Sequence, residues 1–234
     1  METMKLPKKP AVMAYIRKCK GFSLVEMAIV LVIIGIIIGA IIKGQDLIVN
    51  SRAKQAVSAV TTWRNLAVAY LDRNGRLPGD FDNSGIIGDS AADRTAGQTS
   101  IDEIVGVMTN APDNPLVIGS LSFWVYFGNV AGAVGQRSVI VICKDAACAN
   151  VFTTDELEII QAIDTAIDGS ADAGVGQFRA FTAAPTITAA LAAASNRANR
   201  VVSAAVAQST AVAGSTASWA VTHRGALWAF DRPW

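Results

Sequence analysis

The rhythm of apolar positions divides the chain into three parts. Over residues 22–42 almost every position is apolar and Glu26 is the one charge. As a helix those 21 residues reach about 30 Å, enough to cross a bilayer. Beyond Lys43 the pattern changes to steps of three and four. Val49, Ala53, Ala56, Val57, Val60, Trp63, Ala67 and Leu71 form an apolar stripe, while Arg52, Lys54, Ser58, Thr61, Arg64 and Asn65 take the other faces. Asn74-Gly75 followed by Pro78 is a stop signal, with Gly75 as the C-terminal cap. The spacing predicts one helix over residues 22–74, about 80 Å long. Its first part, 22–42, spans the membrane, and its second part packs the stripe against a head made of residues 75–234.

The head reads as a mixture of strands and one short helix. After a polar stretch to about Asn114, residues 116–130, with Phe123, Trp124, Tyr126 and Phe127, suit one or two strands. Residues 137–143 form the clearest strand pattern in the chain. Residues 154–167 suit a helix: Thr154 caps it, Asp155 and Glu156 complement its N-terminus, and Leu157, Ile160, Ile163 and Ile167 make a stripe. Asp164 and Asp168 could pass for paired catalytic carboxylates. No nucleophile or acid–base setting accompanies them, so they read as a helix-end turn. Residues 180–217 are rich in Ala, Thr and Ser and fit a helix, an adaptable loop or a glycosylated stretch equally well. Residues 219–222 and 226–230 read as a terminal hairpin with His223 at its turn, in a surface or hydrogen-bonding role. Trp219, Trp228 and Trp234 belong to the head core or a subunit contact, with a carbohydrate platform as the competing use. The element order implies an α+β fold: a long N-terminal helix, membrane-spanning and then periplasmic, packed on an antiparallel sheet.

Charge gives the chain a direction. Residues 1–21 hold Lys5, Lys8, Lys9, Arg17, Lys18 and Lys20 against Glu2, leaving fourteen basic and eighteen acidic groups for the remainder. A basic flank before an apolar span marks the cytoplasmic end, which puts the head across the membrane. The mildly acidic remainder offers no electrostatic footprint for nucleic acid. On the translocated side Cys143 and Cys148 enclose a short loop in a setting that permits a disulfide. A metal site is the competing use of two cysteines, but His223 is the sole histidine and the remaining cysteine, Cys19, lies in the leader. No nucleophile–base set, phosphate loop or complete metal site appears, which argues against an enzyme.

The segment 77–89 contains Asp80, Asp82 and Ser84 at positions one, three and five of an EF-hand-like loop, with Gly85 at six and Ile87 at eight. Position twelve is Ala91 where a bidentate Glu is expected, and Asp89 or Asp93 could stand in. The candidate metal set is Asp80, Asp82, Ser84 and Asp89, and Ca²⁺ is the one cofactor the sequence raises. An Asp/Asn/Gly-rich turn that caps its own backbone fits the same residues.

Glu26 needs an explanation. A carboxylate in hydrocarbon costs a few kcal/mol or more. A cleaved secretory signal would have a shorter apolar run and a small-residue cleavage site, and a plain one-pass anchor leaves the charge unexplained. Lys20-Gly21-Phe22-Ser23-Leu24-Val25-Glu26 resembles the processing motif of type IV prepilins and type II secretion pseudopilins. The resemblance covers residues 15–75. It implies cleavage by a prepilin peptidase between Gly21 and Phe22, removal of the leader 1–21, N-methylation of Phe22, and a role for Glu26 in assembly. The neighbouring subunit's Phe22 amine would neutralise Glu26 and set the register. A buried pair adds little net stability, but an unpaired charge there costs several kcal/mol. Gly35 and Gly39 have the Gly-x-x-x-Gly spacing that permits close helix approach, although glycine is common in membrane helices. Pilins often carry a helix-breaking proline just after this region, and here Lys43-Gly44 stands instead. The Leu77-Pro78-Gly79-Asp80 turn and Ile163-Asp164-Thr165-Ala166-Ile167-Asp168 also have counterparts among pilin-like proteins.

The resemblance implies a structural subunit of a type IV pilus or pilus-like filament. Its partners would be copies of itself or other pilins, the prepilin peptidase, an inner-membrane assembly platform and, before assembly, the lipid bilayer. The precursor would sit in a bacterial inner membrane and end in an extracellular pilus. A type II secretion pseudopilin of a periplasmic pseudopilus is the alternative within the family. The 213 residues after Gly21 and the head's long polar loops favour the pilus, whereas the Ca²⁺-like loop favours the pseudopilin, since the resemblance implies calcium binding among secretion pseudopilins. A rival of another class is a membrane-anchored periplasmic glycan-binding module that never polymerises.

Overall fold

The computed structural model describes residues 21–90, 93, 103–104, 111–132, 135–182, 187–189, 200–202 and 218–230. The basic leader up to Lys20, most of the Ala/Thr/Ser-rich stretch and Trp234 lie outside the described residues. The chain forms two compact units, Met1–Asp46 and Leu47–Trp234.

The first unit holds the start of helix α1 (Leu24–Asn74). The helix begins two residues later than the apolar run, because Ser23 caps it. The Ser23 hydroxyl accepts from Val25 N at 3.3 Å, and the Ser23 N–H donates to the Glu26 carboxylate at 3.1 Å. This is the reciprocal pattern that satisfies N-terminal amides otherwise left without acceptors.

In the second unit α1 buries Ala56, Val60, Trp63, Ala67 and Tyr70, spaced four, three, four and three apart. The stripe differs at its ends from the one read off the sequence. Val49 and Leu71 remain 40 % and 37 % exposed, and Tyr70 closes the stripe in place of Leu71. Gly75 ends the helix as expected: its φ of +74° suits glycine, and its N–H donates to Leu71 O at 2.8 Å.

The sheet comprises β1 (Leu116–Ile118), β2 (Leu121–Gly132), β3 (Gly135–Cys143), β4 (Phe178–Phe181), β5 (Ile187–Ala189), β6 (Arg200–Val202) and β7 (Gly225–Ala229). Its order is β4-β7-β3-β2-β6-β5, with β1 paired to the first part of β2. All pairs are antiparallel except β2–β6, where Phe127 and Gly128 align with Val201 and Val202 in parallel. The central strand β3 is buried on both faces. Ile140 and Ile142 join the core with α1, while Val139, Val141 and Cys143 join a second core with Tyr126, Phe181 and Leu227. Burial on both sides explains the unbroken apolar run, which a half-exposed strand would not tolerate. Trp63 meets Phe127 edge-on at 6.1 Å, fixing α1 against β2.

Two expectations need correction. Helix α2 (Thr154–Asp168) is capped by Thr153, not Thr154. Thr153 and Glu156 form a capping box, in which the Glu156 carboxylate accepts from Thr153 N at 2.7 Å, so the reciprocal partner three residues on decides the cap. The terminal hairpin does not form. Residues 225–229 make a strand, but it inserts between β3 and β4, and 218–220 are not a strand. Trp219 donates from Nε1 to Asp164 on α2 at 2.8 Å, which holds that segment on the helix rather than on the sheet. Gly225 is required where β7 enters, since a Cβ there would lie 2.2 Å from Phe181 Cζ and 2.7 Å from Ile142 O.

Candidate functional site

Two groups of residues carry the chemistry singled out by the sequence. The first is the start of α1. Phe22 is 76 % exposed, Glu26 is exposed, and the apolar side chains from Leu24 to Ile42 have no cover. An 18-residue window of α1 has mean hydropathy 3.0 and none of it is buried, so this helix is long and apolar enough to cross a membrane. Among the described residues, and apart from the helix's own backbone and chain neighbours, nothing lies within 4 Å of where a Cβ would stand at Gly35 or Gly39, which leaves that strip open to a neighbouring helix. The Glu26 carboxylate has a partner within its own chain, the Ser23 N–H. Ser-x-x-Glu is the spacing of a capping-box signature, so this pairing has a short-range signal in the sequence.

The second group is the loop that leaves α1. Glu103 holds its start: it accepts from both terminal nitrogens of Arg76, from Gly79 N at 2.6 Å and from Tyr70 Oη at 3.0 Å. Burial, then Glu103, pushes the Tyr70 phenol above its ordinary range. Further along, Asp80 accepts from Ser84 N at 2.9 Å and from Gly85 N at 2.8 Å, and Asp82 accepts from Ser84 N at 3.1 Å. Asp80, Asp82 and Asp93 each bring an oxygen within 4.8 Å of the others. Asp89 accepts from the Ser84 hydroxyl at 3.1 Å and is not the third member of that trio. Burial raises the Asp80 and Asp93 carboxyls, against the N–H groups that favour their charged forms. The exposed Asp82 is held low, first by Ser90.

Residues 16–42 match a family model, the prokaryotic N-terminal methylation motif. The chain carries the leader signature of type IV prepilins and pseudopilins. No curated protein and no solved structure matches it. A prepilin-type precursor is processed by a prepilin peptidase and associates with the inner membrane, and the apolar start of α1 fits that placement.

The head of this pilin-like precursor contains three further polar features, a disulfide loop and two buried titratable groups. Cys143 and Cys148 are joined by a disulfide across a Cα–Cα distance of 5.2 Å at the end of β3. Asp145 organises the enclosed loop by accepting from Ala147, Ala149 and Asn150 N–H groups. Burial opposes its ionisation, yet those donors hold its carboxyl below the ordinary range. Asp164 is fully buried, and its carboxyl is pushed up to about 7 by burial; the Trp219 bond opposes this, and Asp168 and Asp172 add to it. Asp168, by contrast, accepts from Gln177 N and Phe178 N, so the two carboxylates do not converge on a reaction site. His223 is also buried. Its Nδ1 accepts from Ala220 N at 3.1 Å, which leaves the proton on Nε2, and burial lowers its pKa. Only tertiary contact could reveal the Asp164–Trp219 bond, whose partners stand 55 residues apart.

Proposed function

We propose that this chain is a structural subunit of a type IV pilus or pilus-like filament and not an enzyme. Cleavage falls between Gly21 and Phe22, and the new Phe22 amine is methylated. The reading rests on the signature at residues 16–42, which is continuous with an uncovered apolar helix holding one carboxylate four positions after Phe22. Removing the leader takes away six basic side chains and creates one amine at the edge of the apolar run. In a bundle of such helices, the amine of one copy neutralises Glu26 of the next. An unpaired charge in that environment is costly enough to reject a wrong axial offset, so the pair sets register more than tightness. The open strips at Gly35 and Gly39 allow the helices to approach closely.

The test is the mass of the N-terminal peptide from cells that hold the peptidase. A methylated Phe22 terminus supports the reading. A chain that keeps residues 1–21 would exclude it and favour a non-polymerising anchored module. Sheared surface filaments that contain this subunit separate the extracellular pilus, favoured by the size of the head, from a periplasmic pseudopilus.

A further inference from the structure

We propose that the Cys143–Cys148 disulfide is a redox latch for α2: closing the bond sets Lys144 on Glu156 and so fixes the first turn of the helix. Lys144 is the first residue inside the loop, and its Nζ lies 3.2 Å from Glu156 Oε2. That same oxygen accepts from Thr153 N in the capping box. The Glu156 side chain is 6 % exposed and that of Lys144 30 %, so the ammonium reaches in from the surface to a nearly buried carboxylate. Among the described residues, no other cation lies within ion-pair distance of it.

The place of Lys144 depends on the bond. Cys148 has φ +51°, in the left-handed region that disfavours any residue with a Cβ. Such a conformation persists where its surroundings over-determine it, and here the covalent link to Cys143 does so. Cys148 N donates to Asp145 O at 3.1 Å, and the Asp145 carboxylate gathers the N–H groups of Ala147, Ala149 and Asn150. Tyr126 Oη on β2 donates to Ala146 O at 3.1 Å. The same loop leads straight into the helix, since only residues 149–152 separate Cys148 from the cap Thr153. Without the bond, Cys148 relaxes toward ordinary backbone regions and the Asp145 turn loosens. Lys144 then loses more conformational freedom on reaching Glu156. A nearly buried carboxylate deprived of its cation weakens the cap it belongs to.

Closing the loop from two thiols releases two electrons and two protons. A disulfide carried by a thiol oxidoreductase takes them up: one cysteine thiolate attacks it, a mixed disulfide forms, and the second cysteine displaces the oxidoreductase with both its thiols reduced. Cys143 and Cys148 are fully buried in the folded head, so the latch acts once, during folding. Docking of α2, whose buried face carries Leu157, Ile159, Ile160 and Ile163, thereby becomes conditional on an oxidising environment.

The experiment uses the full chain in detergent micelles and reads amide hydrogen exchange at the start of α2 relative to β3. In the oxidised chain, Lys144→Met should speed exchange at Glu156, Leu157 and Glu158 about fivefold over β3. In the Cys143→Ser/Cys148→Ser chain these amides should already exchange faster relative to β3. Adding Lys144→Met there should change them less than about twofold, because two changes that act through one contact do not add. Glu156→Gln keeps an acceptor for Thr153 N and should make the oxidised chain indifferent to Lys144→Met. Equal effects of Lys144→Met with and without the bond, or none in the oxidised chain, would overturn the latch. Should the double-serine chain fail to fold, pulse labelling during oxidative refolding decides. Protection of α2 that appears together with the bond supports the latch, and protection that precedes the bond overturns it.

Discussion

Ser23 and Glu26 cap the start of α1 reciprocally: the hydroxyl accepts from Val25 N and the carboxylate accepts from Ser23 N. Glu26 thus has two separable properties, an acceptor oxygen for its own helix and a charge for a neighbouring amine. Gln keeps the first and removes the second, whereas Ala removes both. Membrane insertion and leader cleavage should survive Glu26→Gln and Glu26→Ala alike. Filament yield should fall roughly tenfold or more in both, since the missing charge leaves the neighbour's amine unpaired. Quantitative immunoblots of sheared filaments, normalised to processed subunit, check this. Normal yield from Glu26→Gln would assign Glu26 to capping alone.

The buried Asp164 makes head stability depend on pH. Its folded carboxyl titrates at about 7, far above the range of an unfolded aspartate. The folded state therefore holds the proton more tightly, and the stabilisation is complete below about pH 4 and lost as pH rises through 7. Asp168 and Asp172 push in the same direction and the Trp219 indole opposes them. Asp164→Asn can still accept from Trp219 but cannot ionise. It should exceed the unsubstituted chain by about 2–4 kcal/mol at pH 8 and lose most of the pH slope between 5 and 8. Denaturant unfolding across that range is the measurement, and an unchanged slope in the variant would sink the assignment.

Cys143 and Cys148 are both fully buried. Reductant should therefore leave the folded head oxidised and act only when denaturant opens it. Replacing both by Ser should lower stability by about 2 kcal/mol, the size expected for closing so short a loop. Thiol labelling followed by mass analysis, with and without denaturant, tests access, and urea melts test the loss.

Gly225 admits β7 to the sheet beneath Phe181 and the Ile142 carbonyl. Gly225→Ala forces the Phe181 ring or the strand itself to move. The expected loss is about 1–3 kcal/mol, read from thermal or urea unfolding. A variant as stable as the parent would show that the ring yields without cost.

Much of the architecture was legible because it rests on short-range signals. The apolar run, the three–four spacing and Asn74-Gly75 marked α1 nearly to the residue. Its start moved to Leu24 because Ser23 is better used as a cap than as a turn of helix. The run at residues 137–143 announced β3, since a strand buried on both faces needs no polar alternation. The last segment misled. Trp219 and Trp228 stand on either side of His223-Arg224-Gly225, yet Trp219 is held by Asp164 and β7 pairs with β3 and β4. Pairing between distant strands outweighed the local turn signal.

The acidic loop divides in the same way. Asp80, Asp82, Ser84 and Gly85 were visible through their fixed offsets, and the Asp80 and Asp82 bonds to Ser84 and Gly85 N–H groups follow from those offsets. Whether Asp89 or Asp93 completes the trio could not be read from spacing. The fold selects Asp93 by burying it beside the other two. What the sequence alone determined were the leader signature, the membrane-length helix, its C-terminal cap and the nearby turns, because these depend on hydrogen bonds and periodicities within a few residues. The tertiary structure alone decided the place of β7, the third acidic residue and the proton-holding Asp164. Those depend on burial and on partners far apart in the chain, which exist only when packing brings them together.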